Sequence, residues 1–117
     1  MEIFSFTKEL GKKVTHFDSN FIMSKITVIE EETRIGGMYL EAGGVIGYHQ
    51  AKSPQLLLVV KGEGLVKGGS NEYLAVSEGD AVYWEEGEWH ETKTDSGLTA
   101  IVLESKELSP GLLMERK

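Results

Sequence analysis

Short β-forming stretches recur along this chain every 8 to 15 residues, and glycine-bearing turns separate them. No stretch carries the i, i+3, i+4 spacing of a helix of three or more turns, and no segment repeats. A chain punctuated in this way buries its apolar residues by folding strands back on one another. The spacing therefore predicts an all-β fold, a closed or sandwiched antiparallel sheet, rather than an α/β one. With 117 residues there is material for a single core, so any chemistry must fit in one interior.

The segments read as follows. Phe21 to Ile29 forms one strand, bent in the middle, after an arm over Phe4 to Gly11 that is a short strand or irregular. Arg34 to Leu40 is the next strand, with Met38 and Leu40 on one face and Gly36 and Gly37 permitting a bulge or a close backbone approach. Val45 to Ala51 follows. Leu56 to Val60 is the densest strand signal, and its unbroken apolarity calls for cover on both faces, from a second layer or from another subunit. Lys61 to Gly64 reads as the turn that ends it, and Leu65 to Lys67 with Glu72 to Val76 as a hairpin. Ala81 to Trp84, Trp89 to Thr94 and Leu98 to Leu103 complete the set.

The charge balance narrows the partners. Nineteen acidic residues against 12 basic ones give a net charge of -7 with no basic stretch, which argues against nucleic acid. The chain has no cysteine, so a metal would need imidazole, carboxylate, amide or water ligands. Met1 to Phe6 lacks the character of a secretion signal, and the longest apolar run, Leu56 to Val60, is too short to cross a bilayer. No membrane role and a cytoplasmic location are expected.

Three histidines, His16, His49 and His90, are the natural candidates for metal ligation or proton transfer at neutral pH. His16 lies in a loop-like stretch and is expected at the surface. His49 lies in a strand, where Ala51 shares its face and Tyr48 does not. His90 opens a strand just after the Gly87 turn. Gln55 is the next polar group able to reach the same space, with an amide that ligates metals weakly and hydrogen-bonds well. Spacing alone leaves His49 and His90 open to a plain role as half-buried residues satisfied by carboxylates or backbone, since two histidines in a chain of this length are weak evidence for a site. The run from Tyr83 to Glu91 gathers Tyr83, Trp84 and Trp89 around one turn, as pocket walls or as core.

Taken together, these residues resemble the cupin superfamily. Its first motif, glycine, five residues, His, one residue, His, three or four residues, Glu, six residues, Gly, falls on Gly43, His49, Ala51, Gln55 and Gly62. Its second, glycine, five residues, Pro, one residue, Gly, two residues, His, three residues, Asn, falls on Gly79, Glu85, Gly87, His90 and Thr94. The resemblance implies a small single-domain cupin of the RmlC-like kind. The fold would be a double-stranded β-helix, or jelly-roll barrel, with its core over about 22–103, an N-terminal arm and a short C-terminal tail. It also implies a metal site at His49, Gln55 and His90 for one divalent ion, iron, manganese, zinc or nickel. The departures weaken that site, because Gln55 replaces the acid and Ala51 a histidine.

Three functions follow as expectations. The first is a pocket for a small-molecule ligand, with metal weak or absent. The second is a metal-dependent dioxygenase or isomerase acting on a small oxygenated metabolite. The third is a structural or regulatory module with a vestigial cavity. A homodimer is expected from the resemblance and from the apolar surface of Leu56 to Val60 and Leu98 to Leu103.

Overall fold

A computed structural model describes residues 1–117. It contains eleven strands and two single-turn 3-10 segments, and no longer helix. The strands are β1 (Glu2–Ser5), β2 (Lys12–Val14), β3 (Phe21–Met23), β4 (Thr33–Leu40), β5 (Val45–Gln50), β6 (Gln55–Lys67), β7 (Leu74–Ser77), β8 (Asp80–Trp84), β9 (Trp89–Lys93), β10 (Leu98–Ser105) and β11 (Glu115–Arg116).

All the pairings are antiparallel, and they build two layers. The larger sheet runs β11, β1, β8, the first half of β6, β10, β4. The smaller runs β5, β9, the second half of β6, β7. The all-β jelly roll of the cupin type is thus present, as two sheets sharing β6 rather than as a barrel closed by hydrogen bonds.

Strand β6 corrects the turn expected at Lys61 to Gly64. The chain does not reverse there but crosses from one sheet to the other. Thr99 opposes Lys61 while Ala100 opposes Val59, so Val60 is an extra residue, a bulge that turns the strand. Gly62 follows with φ +84, and a Cβ on it would lie 2.2 Å from the carbonyl oxygen of Gly97. Only glycine suits both conditions.

The period of two sorts β6 between two apolar clusters. Leu57 and Val59 join Val66, Val82, Trp84, Leu98, Ala100 and Val102 between the sheets. Leu56 and Leu58 point the other way, onto Phe4, Ala81, Leu103 and Met114, with Ile26, Ile29 and Leu108 laid over them. Each fully buried Leu or Val of this kind contributes roughly 1.5–3 kcal/mol. The cover for Leu56 and Leu58 therefore comes from the protein's own N- and C-terminal segments, and that for Leu57 and Val59 from between the sheets, while Val60 stays exposed.

Two further expectations change. The strand over Phe21 to Ile29 stops at Met23, because only Phe21 to Met23 find a ladder partner, in β2. The residues after it run as irregular backbone that seats Ile26 and Ile29 on the outer cluster. The pairing of β4 with β10 shows no bulge at Gly36 or Gly37, since every residue from Thr33 to Leu40 opposes its partner in unbroken register. No helix is long and apolar enough to cross a membrane.

Candidate functional site

The site is built by two neighbouring strands of the smaller sheet. His49 of β5 and His90 of β9 are direct cross-strand partners. A register shift between Ile46 and His49 brings both Ile46 and His49 onto the inner face, with Ile46 packed in the core beside Met38 and Leu40. The imidazole centroids are 4.3 Å apart, with the planes tilted by 51°.

The two rings have different surroundings. His49 is exposed, and its Nδ1 donates to the Gly47 carbonyl at 2.7 Å. That bond fixes the proton on Nδ1 and leaves Nε2 as the free lone pair. His90 is 2% exposed, and its Nε2 is buried with no hydrogen-bond partner. Its pKa is lowered from 6.5 to about 4, first by burial and then by the neighbouring His49, against a smaller opposing pull from Glu88. At neutral pH His90 is thus an uncharged imidazole.

Trp84 backs the pair. Its indole is fully buried, lies 4.6 Å from the His90 ring between centroids, and donates Nε1–H to the Lys67 carbonyl at 3.2 Å. Gln55 opposes Trp84 on the neighbouring strand, on the same inner face. Its amide nitrogen is engaged with Glu104 Oε1 at 3.2 Å, so the carbonyl oxygen is the part left free.

The other two aromatic candidates point away from this space, because a strand alternates its sides. Tyr83 opposes Leu56 and packs with the outer cluster, where burial and nearby Glu85, Glu2 and Glu88 raise its phenol pKa. Trp89 is 44% exposed on the outside of the smaller sheet, stacked on Tyr48 at 5.3 Å between centroids. His16 is exposed in the second 3-10 turn, away from the site.

Leu40 and Ile46, on either side of the turn between β4 and β5, pack against the inner core, while His49 further along β5 is exposed. A Cβ on Gly36 would meet nothing within 4 Å, and the same holds for Gly47. A separate cleft of about 390 Å³, lined in part by Glu63, Lys93, Asp95 and Lys117, contains neither histidine.

The orphaned Nε2 of His90 and the fixed tautomer of His49 suit an ion that takes imidazole donors. The rest of a complete ligand set is not assembled. Ala51 places a buried methyl at the motif's second histidine position, and no three His, Asp or Glu side chains converge.

Sequence reasoning missed Arg34 and Glu104, which share the inner face. The signal was present: Glu104 continues the series Leu98, Ala100, Val102, and Arg34 the series Leu40, Met38, Gly36.

A jelly roll of two sheets with paired inward imidazoles on adjacent strands defines the cupin class. Residues 37–105 match the family described as Cupin domain, and the chain belongs to that family. No curated protein matches the sequence. Similar solved structures include an RmlC-like cupin from Shewanella frigidimarina, 19% identical over 68% of this chain and 70% of that one, TM-score 0.60. A predicted oxalate decarboxylase from Thermotoga maritima is 19% identical over 61% of this chain and 64% of its own, TM-score 0.56. A conserved protein of unknown function from Streptococcus pyogenes is 18% identical over 70% and 71%, TM-score 0.60. At these identities the likeness is one of fold.

Proposed function

We propose that this cupin binds a small organic molecule in the space between its sheets, with His49, Gln55 and His90 as hydrogen-bonding groups. The observation that carries the reading is the unpartnered, buried Nε2 of His90 next to the exposed imidazole of His49. Leaving such an atom unsatisfied costs roughly 1–3 kcal/mol, which a hydrogen-bonding ligand would recover.

His49 supports the same reading from the exposed side, since its Nδ1 bond to Gly47 presents Nε2 as an acceptor. His49 Nε2 accepts, so the ligand best suited to it carries a hydroxyl or N–H donor. Trp84 supplies a rigid apolar wall behind His90.

A divalent ion would be held by His49 and His90, with the free Gln55 carbonyl oxygen as a weak third ligand and water or ligand completing its shell. When bound it would polarise a ligand oxygen as a Lewis acid. Two neutral nitrogens without a carboxylate hold such an ion less tightly than a full set.

Thermal-shift screening of chelator-treated protein against a library of small polar compounds tests the proposal. A ligand of the native state must raise the melting temperature. The expected result is at least one compound whose stabilisation disappears in His49→Ala. Stabilisation that survives both His49→Ala and His90→Asn would remove the pair from the binding role.

A further inference from the structure

We infer that Tyr48 and Trp89, stacked on the outer face of the smaller sheet, are positioning residues that put His49 rather than Tyr48 beside His90 on the inner face. The inference rests on the pocket reading above and adds what decides which side chain the ligand meets there.

Both ends of the relevant stretch of β5 are held. Ile46 opposes Thr92 and packs against the core. Ala51 is buried, donates its N–H to the Glu88 carbonyl at 2.9 Å and accepts from the Gly87 N–H at 2.8 Å. Between these anchors β5 has four residues, Gly47 to Gln50, and the facing chain has three, Trp89 to Glu91. One residue of β5 is therefore in excess, and a bulge must take it up.

The two ends do not say where the bulge sits. Placed after the histidine position, it would leave Gly47 opposite Glu91 and Tyr48 opposite His90, with Tyr48 inward and His49 turned out. Placed before it, as observed, it sets Gly47 and Tyr48 together against Glu91, and His49 opposite His90. Burial on β5 does not choose between the two, since Gly47, Tyr48, His49 and Gln50 are all exposed and the strand has β9 as its one ladder partner.

The outer face does choose. With the bulge before His49, the Tyr48 ring lies on Trp89, centroids 5.3 Å apart and planes at 26°. Lys67 Nζ stands 4.7 Å from the Tyr48 centroid, and the Lys67 carbonyl accepts the Trp84 N–H behind His90. Gln50, opposite Trp89, adds a side-chain hydrogen bond to the Gly87 carbonyl at 2.9 Å. Moving the bulge would carry Tyr48 to the inner face and forfeit both the stack and the cation contact. An aromatic pair weights such a choice by roughly two- to tenfold. The stack thus decides whether buried His90 shares its face with an imidazole acceptor or with a phenol.

The test is the nuclear Overhauser contact between the His49 and His90 rings in ligand-free, chelator-treated protein. The native sequence is expected to show it, Trp89→Ala to weaken it roughly twofold or more, and Trp89→Tyr to keep it. Deleting Gly47 leaves three residues facing three, so the regular ladder itself turns His49 inward. In that background Trp89→Ala is expected to leave the contact at full strength. A contact that survives Trp89→Ala with Gly47 present would overturn the inference. So would one that weakens equally with Gly47 deleted, because the tryptophan would then be holding the sheet together rather than placing the bulge. Should the deletion unfold the protein, Tyr48→Phe, which keeps the ring, and Tyr48→Val, which does not, take its place: the contact should persist in the first and weaken in the second, and equal contact in both would overturn the inference. No ligand enters these readings, so the inference can fail while the pocket stands. If instead the polar library leaves both histidines unmoved, the pocket reading falls, while the placement of His49 is judged by the ring contact alone.

Discussion

The indole of Trp84 lies 4.6 Å from the His90 imidazole, centroid to centroid, with its N–H spent on the Lys67 carbonyl. One buried side chain thus sets the ring that carries the unpartnered nitrogen. Trp84→Ala should cost about 3–5 kcal/mol in urea unfolding, through the cavity it leaves. Trp89→Ala, on the exposed outer face, should cost less than about 1 kcal/mol. Equal losses would mean that the two tryptophans are not divided between core and surface as described.

Acid should destabilise the chelator-treated protein through His90. Its folded pKa, about 4, lies below the ordinary 6.5 of an unfolded chain. Between those values the unfolded chain binds a proton that the native state refuses. The stability contributed by this group is therefore complete above pH 6.5 and is lost as pH falls through 4. The urea midpoint of the native sequence should fall more steeply across that window than that of His90→Asn. Parallel curves would show His90 titrating as an ordinary exposed imidazole.

The corner in β6 makes a sharp prediction. Gly62→Ala places a methyl against the Gly97 carbonyl in a backbone at φ +84, and should cost more than about 2 kcal/mol. Gly69→Ala, with nothing within 4 Å of the new methyl, should stay within about 0.5 kcal/mol. Chemical denaturation of the two variants measures the difference.

The hairpin of β2 and β3 carries exposed Phe21, Ile22 and Met23, with Phe17 in its connection 98% exposed. Its two short strands pair only with each other. We propose that a second copy of the chain covers this apolar group, giving a homodimer. Light scattering at micromolar concentration should give twice the chain mass, and Phe21→Asp with Ile22→Lys should halve it. A monomer in the native sequence would contradict the proposal.

Much of this was legible in the sequence because a strand repeats every two residues. The run Leu56 to Val60 announced cover on two sides, and Leu98, Ala100 and Val102 marked the inner face. Followed two residues further, the same alternation reaches Glu104, and on β4 it reaches Arg34. The corner at Gly62 was not legible, since a glycine of positive φ signals a turn as well as a bend. What decides between them is the Gly97 carbonyl across the sheet. Tyr83 and Trp89 were grouped with Trp84 by nearness in the chain, whereas adjacent strand residues face opposite ways. Strand Phe21 to Ile29 ended early because its apolar alternation meets a hydrophobic surface without a hydrogen-bonding neighbour.

The most direct test of the central claim is the imidazole nitrogen spectrum of chelator-treated protein at neutral pH, recorded with and without members of a small polar compound library. His49 and His90 should move together with at least one compound, as neighbours 4.3 Å apart that face one ligand, while exposed His16 stays in place. A library that leaves both rings unmoved, or compounds that move one ring without the other, would contradict the account.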